Sequence, residues 1–272
     1  MNQTTLIPDA AMVRRAEAII GDYARSRVEI IAARPGNPLR AETRRYGEAV
    51  ALRAPVFGDH FFNRACGFSD ETLEAAREVI GWYAEEGVPG SFEVLPGLPS
   101  GALMALLHEH GYRQVAFHAT FAGPSELPSS SAPGVEVRLV ETDADLEAFS
   151  DVYHRGWALG GPRVPMRPWR EAEGWRLYLG LCDGEPAGAA VLYLWNGASY
   201  LADGAVDPQW RRRGVHRALL DARCADAARA GAGEIFSGAD YLSGSHRNML
   251  RKGLGLLLTK ALWRAPQLKA AG

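Results

Sequence analysis

The chain is poor in features that would place it outside the ordinary globular classes. It has three cysteines, Cys66, Cys182 and Cys224. An odd, widely spaced set cannot complete a disulfide framework, and none stands in a CxxC or Cys/His pattern, so neither a stapled scaffold nor a structural metal is expected. No apolar run approaches membrane-spanning length, and the N-terminus MNQTTLIPDAAMVRR lacks the basic stretch and apolar core of an export signal. A reduced, cytoplasmic protein without a membrane partner is expected. Charge of one sign is also lacking, with 30 Lys plus Arg against 32 Asp plus Glu and a net of −2. That balance speaks against a surface built for nucleic acid, so any anion site must be local. What remains is 272 residues at 47% hydrophobic and 23% charged, enough for two cores.

One segment reads as a joint. GPSELPSSSAPG, 123–134, sets Pro124, Pro128 and Pro133 among serines without apolar periodicity. It divides the chain into residues 1–123, a linker at 124–134, and residues 135–272. The halves share a plan. LLHEHGYRQVAFHATF (106–121) and MLRKGLGLLLTKALW (249–263) each end a short helix at a glycine and continue as an apolar strand closed by an aromatic. Gly111 matches Gly253 and Phe121 matches Trp263 at one offset, 142 in both cases (253 − 111 and 263 − 121). Upstream, FEVL (92–95) and EIFSG (234–238) are short strands at nearly that offset, each leading through a serine (Ser100; Ser243 or Ser245) into the helix. The expectation is one fold written twice.

The second half can be read element by element. VEVRLV (135–140) alternates as a strand, and 143–159 shows helical spacing through Leu146, Phe149, Val152 and Tyr153. Residues 175–206 form a meander with hairpin turns at Asp183-Gly184 and Asn196-Gly197. A helix from Gly214 to about Ala230 carries Val215, Ala218, Leu219, Ala222 and Ala225 on one face, with Arg217, Asp221 and Arg229 off it.

The informative stretch is VDPQWRRRGVHRALL, 206–220, where a strand ends, a turn begins at Pro208 and a helix starts at Gly214. Arg211, Arg212, Arg213 and Arg217 fall within seven residues of one another. Basic side chains at a helix N-terminus oppose the macrodipole unless an anion is present, and the first-turn N–H groups are themselves donors for phosphate oxygens. Gly214 allows close backbone approach. Walker and dinucleotide fingerprints are absent, so the phosphates belong to another ligand.

This segment resembles the acyl-CoA pyrophosphate loop of the GNAT (GCN5-related N-acetyltransferase) superfamily: Gln or Arg, two residues, Gly, one residue, Gly or Ala. Here it reads Arg211-Arg212-Arg213-Gly214-Val215-His216. The resemblance covers 135–263 and implies an α/β (α+β) fold: two GNAT-like domains, each a mixed, mostly antiparallel twisted sheet flanked by helices. In the second, strands 200–206 and 234–238 would splay to hold the cofactor. Two departures stand out. His216 replaces the family's small residue, and Met249 stands where a tyrosine often serves as general acid. The first half resembles a degenerate copy, its loop counterpart CGFSDETLEAA (66–76) opening with Ser69, Asp70 and Glu71, which cap a helix well and repel pyrophosphate.

The resemblance implies acetyl transfer from acetyl-CoA, or another acyl-CoA, to a primary amine of a small molecule by direct attack, with no metal. Cofactor contacts fall to Ala205, Val206, Arg211, Arg212, Arg213, Gly214, Val215, His216, Arg217 and, loosely, Asn248. Backbone groups near Ala205 and Val206 would polarise the thioester carbonyl. Deprotonating an alkylammonium at neutral pH costs about 4 kcal/mol, so a base is needed. Asp203 is the first candidate, followed by Asp240 and His246; Ser245, with Ser243 and Tyr241, could stand in for the missing acid. Tyr153, His154, Trp157 and Tyr241, with the stretch 160–169, would line the acceptor site. The assembly would be a monomer, as an internal pseudo-dimer, or a homodimer. A non-catalytic acyl-CoA-binding module is the alternative, and a tandem-fold transferase using aminoacyl-tRNA is a third reading that the near-neutral charge disfavours.

Overall fold

The computed structural model describes residues 7–57, 61–129, 132–159 and 162–265. Its elements run α1 (Ala10–Ala32), β1 (Glu42–Tyr46), β2 (Ala49–Arg53), β3 (Arg64–Cys66), α2 (Leu73–Glu85), β4 (Ser91–Val94), α3 (Gly101–Glu109) and β5 (Arg113–Pro124). They continue with β6 (Val135–Leu139), α4 (Asp143–Trp157), α5 (Arg167–Glu171), β7 (Trp175–Cys182), β8 (Glu185–Trp195) and β9 (Ala198–Val206). The chain closes with α6 (Val215–Arg229), β10 (Glu234–Asp240), α7 (Gly244–Lys252) and β11 (Gly255–Arg264). The run β3-α2-β4-α3-β5 has the same order as β9-α6-β10-α7-β11. In both, the strands flanking the first helix pair in parallel.

Contacts gather the chain into two compact units. The first holds Ile20–His118 with Leu258–Gly272, the second Met1–Ile19 with Ala119–Leu257. Relative to the sequence halves, the units have exchanged the later parts of their last strands, β5 from Ala119 and β11 from Leu258. Ala119 and Phe121 of β5 pack in the second unit's core with Ile235, Ala239, Met249 and Leu254. The later residues of β11 pair with β4 in the first unit, Ala261 opposite Val94 and Trp263 opposite Phe92.

In the first unit the strand order is β1-β2-β3-β4-β11, antiparallel except for β3 and β4. Its core is aromatic: Phe92 meets Phe68, Tyr83 and Tyr112 edge-on. In the second unit the order is β10-β9-β8-β7-β6, with antiparallel hairpins and the parallel β9/β10 pair. Both hairpin turns have positive φ at both central residues, 53° and 85° at Asp183-Gly184 and 47° and 75° at Asn196-Gly197. That backbone matches the strand twist and explains the Asp-Gly and Asn-Gly pairs. Helix α6 lies close on the sheet because Gly188 faces it; a Cβ there would stand 2.5 Å from Val215 and 2.7 Å from Leu219.

One expectation changes. Asp221, read as lying off the buried face of α6, is buried and paired with Lys252. Arg223 and Asp226 are buried too: carbonyls inside the unit accept from Arg223 Nε and Nη1, and the Tyr178 hydroxyl donates to Asp226. The Pro/Ser run is fastened down where it is described: Pro128 O accepts from Lys252 Nζ at 2.7 Å. Residues 130 and 131 of that run lie outside the described residues.

Candidate acyl-transfer site

The site begins where two strands part. β9 and β10 pair from Ala198 and Glu234 through Leu201 and Ser237 and no further, although β9 runs on to Val206 and β10 to Asp240. The Ser237 hydroxyl donates to Leu201 O at 2.8 Å, closing the last paired rung. Just beyond it β9 bulges. Ala202 lies opposite Val191 and Ala205 opposite Ala189, so β9 spends one extra residue, and Asp203 takes φ +47°. Buried Arg223 holds this distortion from α6, its Nη1 donating to Val191 O at 3.0 Å and to Ala202 O at 2.9 Å. Carbonyls that a bulge withdraws from the ladder need such a donor. Arg223 is a positioning residue that sequence reasoning missed, because a helix arginine gives no sign of facing inwards.

The turn from β9 to α6 is built from the residues of the arginine motif. Asp207 caps the short turn at Gln209 N, 3.2 Å, and pairs with Arg155 Nε of α4 at 2.5 Å. Arg211 reaches back to Val206 O and Gly156 O, 3.4 and 3.3 Å. Gly156 is what lets α4 approach; a Cβ there would sit 2.9 Å from Ala205 Cβ. Arg212 takes φ +67°, Arg213 Nη2 lies 2.5 Å from Asp183 Oδ2, and Gly214 caps α6 at φ +88°. Arg211, Arg212, Arg213 and Arg217 are all exposed. Helix α4 starts on Thr142 and α7 on Ser243, each capped by that side chain, whereas α6 starts on Gly214 with no side-chain cap. Its first-turn N–H groups therefore lack a side-chain cap and stand beside four guanidinium groups, a donor set suited to an oligophosphate.

His216, one turn into this motif, engages α7. Its Nε2 lies 3.2 Å from Ser245 Oγ and its Nδ1 3.2 Å from Asn248 Nδ2. The ring sits beneath the unpaired part of β9, with Nε2 3.5 Å from where a Cβ on Gly204 would be. Burial, aided by the charge of Arg223, pushes its pKa down to about 4, so the imidazole is neutral at physiological pH.

Other sequence candidates fall at separate places. Asp203 accepts from the Tyr153 hydroxyl at 3.1 Å, towards α4. Tyr153 is itself buried against Phe149. His154 accepts the Val164 N–H at Nε2, 3.1 Å, which fastens the loop after α4, and burial lowers its pKa. Val164, Met166 and Trp169 are core residues, Trp169 stacking on Trp175, so the described part of 160–169 is largely interior; Gly160 and Gly161 lie outside the described residues. Trp157 and Tyr241 are partly open to solvent. His246 is buried and edge-on to Phe121 and Tyr241, each 5.0 Å away. Asp240 is exposed at the end of β10, and Met249 is core. Among the described residues no group of three or more His, Cys, Asp or Glu is placed to hold a metal ion, and no helix is long and apolar enough to cross a membrane.

With a parallel strand pair that parts, a bulge at the point of parting and a glycine-capped basic helix beyond it, the comparison with known proteins becomes specific. The profile described as an acetyltransferase (GNAT) domain matches residues 129–247. That segment belongs to the GNAT family. The fold is that of solved relatives over the whole chain. A GCN5-related N-acetyltransferase from Kribbella flavida is 19% identical, covering 98% of this chain and 99% of that one at a TM-score of 0.68. A second, from Sphaerobacter thermophilus, is 18% identical over 94% and 93% at 0.61. A tandem GNAT protein from the clavulanic acid biosynthesis pathway is 13% identical over 97% and 98% at 0.55. No curated protein matches the chain. The GNAT segment contains the bulge, the arginine turn, α6 and the start of α7.

Proposed function

We propose that the protein is an acyl-CoA-dependent N-acyltransferase that moves an acetyl group from acetyl-CoA to a primary amine of a small molecule by direct attack. The carrying observation is the uncapped, glycine-started N-terminus of α6 lying immediately beyond the point where β9 and β10 part. The donor set suits a pyrophosphate: N–H groups without a side-chain cap, exposed arginines, and φ +88° at Gly214, where any side chain would strain the turn. When bound, acyl-CoA supplies the activated acyl group as a thioester.

The chain's own residues would then do the following. Arg211, Arg212, Arg213 and Arg217, with the N–H groups of Val215 and His216, hold the diphosphate. Backbone groups of Ala205 and Val206, freed from β10, orient the pantetheine arm and polarise the acyl carbonyl. Asp203, presented by the bulge and held by Tyr153, takes the proton that the ammonium must lose. Asp240, Tyr241 and Trp157, all open to solvent, flank the acceptor's approach. The first unit, whose corresponding turn is acidic, serves as scaffold without an acyl-CoA loop of its own.

Calorimetric titration with acetyl-CoA, followed by thiol release over a panel of amines, tests this reading. Binding together with acceptor-dependent thiol release is expected, and Asp203→Asn should lower kcat without loss of acyl-CoA binding. Absence of binding would overturn the proposal. Tight binding with no turnover over amino acids, polyamines and amine antibiotics would favour a non-catalytic acyl-CoA-binding module.

A further inference from the structure

The motif position that departs most from the family, His216, joins a chain of contacts that nothing in the functional reading requires. Its polarity can be followed from one end. On α7, Arg251 Nη1 donates to Asn248 Oδ1 at 3.3 Å. A guanidinium has only donors, so this contact turns the amide oxygen towards Arg251 and the NH2 towards His216. Asn248 Nδ2 then donates to His216 Nδ1 at 3.2 Å, and Nδ1 must carry a lone pair. A neutral imidazole with an unprotonated Nδ1 carries its proton on Nε2. Nε2 faces Ser245 Oγ at 3.2 Å, so the ring donates and the serine oxygen accepts. The hydroxyl hydrogen of Ser245 is thereby left for a different acceptor.

The surroundings favour this arrangement. The buried guanidinium of Arg223 comes within 3.5 Å of the same Gly204 Cβ position as His216 Nε2, and a nearby fixed cation opposes an imidazolium. The ring lies under residues of β9 beyond the last rung shared with β10, and Ser245 is half-buried beside it. A strand opening that accepts a thioester would therefore have near it, beside His216, a hydroxyl whose hydrogen is not taken up by the imidazole.

Resting on the acyltransferase reading, we propose that Arg251, Asn248 and His216 act in series as positioning residues that present the Ser245 hydroxyl as a hydrogen-bond donor to the departing thiolate sulfur. No proton need leave the serine. A thiol of pKa about 8.5 departs readily as its anion and needs only a donor to stabilise it. The replacement of a small residue by His216 and of an expected tyrosine by Met249 are then linked: the donor lost on one turn of α7 is supplied from another.

Heteronuclear NMR of isotope-labelled histidine reads the tautomer of His216 directly, without ligand. The Nε2–H form is expected in the wild-type protein. In Asn248→Asp the carboxylate accepts from Nδ1–H, the tautomer inverts, and Nε2 accepts the hydrogen bond of the serine hydroxyl. This variant and Ser245→Ala should each lose about ten- to a hundredfold in kcat, as befits one hydrogen bond to a charged atom, and Ser245→Ala should do so with little change in the KM for acetyl-CoA. Their double mutant should lose no more than either alone. His216→Gln, which keeps an N–H near the Nε2 position, should recover activity that His216→Leu does not. An Nδ1–H tautomer in the wild type, or unchanged kcat in both single variants, would overturn the proposal while leaving the acyltransferase reading intact. Failure of the wild-type protein to bind acetyl-CoA would overturn that reading and the role assigned to Ser245 with it.

Discussion

The two strand-to-helix turns, β3 to α2 and β9 to α6, share a plan and treat charge in opposite ways. In the first unit the turn consumes its own polar groups. Ser69 and Thr72 form a reciprocal cap, and Asp70 Oδ1 accepts from Leu103 N at 2.8 Å, capping α3 instead of leaving that helix to Ser100. Beyond the last β3/β4 rung the first unit buries Glu93, with Arg64 and Lys260 each at 2.9 Å. Burial alone would raise that carboxyl's pKa, but Lys260 and Arg64 outweigh it and hold the group well below the usual range. In the second unit the turn leaves the start of α6 without a side-chain cap and its arginines exposed. The same order of elements thus closes its charges on one another in the first unit and leaves basic groups exposed in the second.

This contrast can be broken most forcefully in the closed copy. Glu93→Ala removes the buried carboxylate shared by Arg64 and Lys260 and should cost about 3–5 kcal/mol of stability by denaturant titration, with acetyl-CoA binding to the remaining folded protein unchanged. In the open copy, Arg213→Glu should weaken acetyl-CoA binding about a hundredfold, near 3 kcal/mol by calorimetry, while leaving stability close to wild type. Arg223→Met withdraws the donor from two bulge carbonyls; a loss of about 1–3 kcal/mol in stability is expected, with a fall in kcat because Asp203 loses its presentation. His216 adds a pH signature. An unfolded imidazole protonates near pH 6.5 but the folded one only near pH 4, so its contribution is intact above about 6.5 and drains away as pH falls towards 4. A stability–pH profile of His216→Gln should be flatter across that window. The smallest effect is Asp183→Ala, which removes a half-exposed partner of Arg213: under about 1 kcal/mol in stability, with acetyl-CoA binding equal or tighter.

Much of this was legible in the sequence because it was local. The Asp-Gly and Asn-Gly turns, the helix started by Gly214 and the strand–helix repeat each depend on residues a few positions apart. Helix α1, with Ala16, Ile19, Ile20, Tyr23, Ala24, Val28 and Ile31 buried at helical spacing, went unread because it carries no chemistry that would draw the eye. What could not be read was long-range polar pairing. Glu93 meets Lys260 across 167 positions, Arg223 meets Val191 across 32, and His216 meets Asn248 across 32. A charged residue at such a site looks like surface until its partner is known, which is why Asp221 reads as lying off the buried face of α6 and His216 as a cofactor contact.

The traded last strands bear on how the chain comes to be folded as it is made. Synthesis releases residues 20–118 long before 258–264, yet β4 finds its antiparallel neighbour only in Ala261–Arg264. Until then the first unit carries a nascent sheet edge open to pairing with other chains, and the buried Glu93 lacks Lys260. The half that emerges first is thus the half that finishes last, and deleting the final strand would injure the unit whose sequence lies farthest from it.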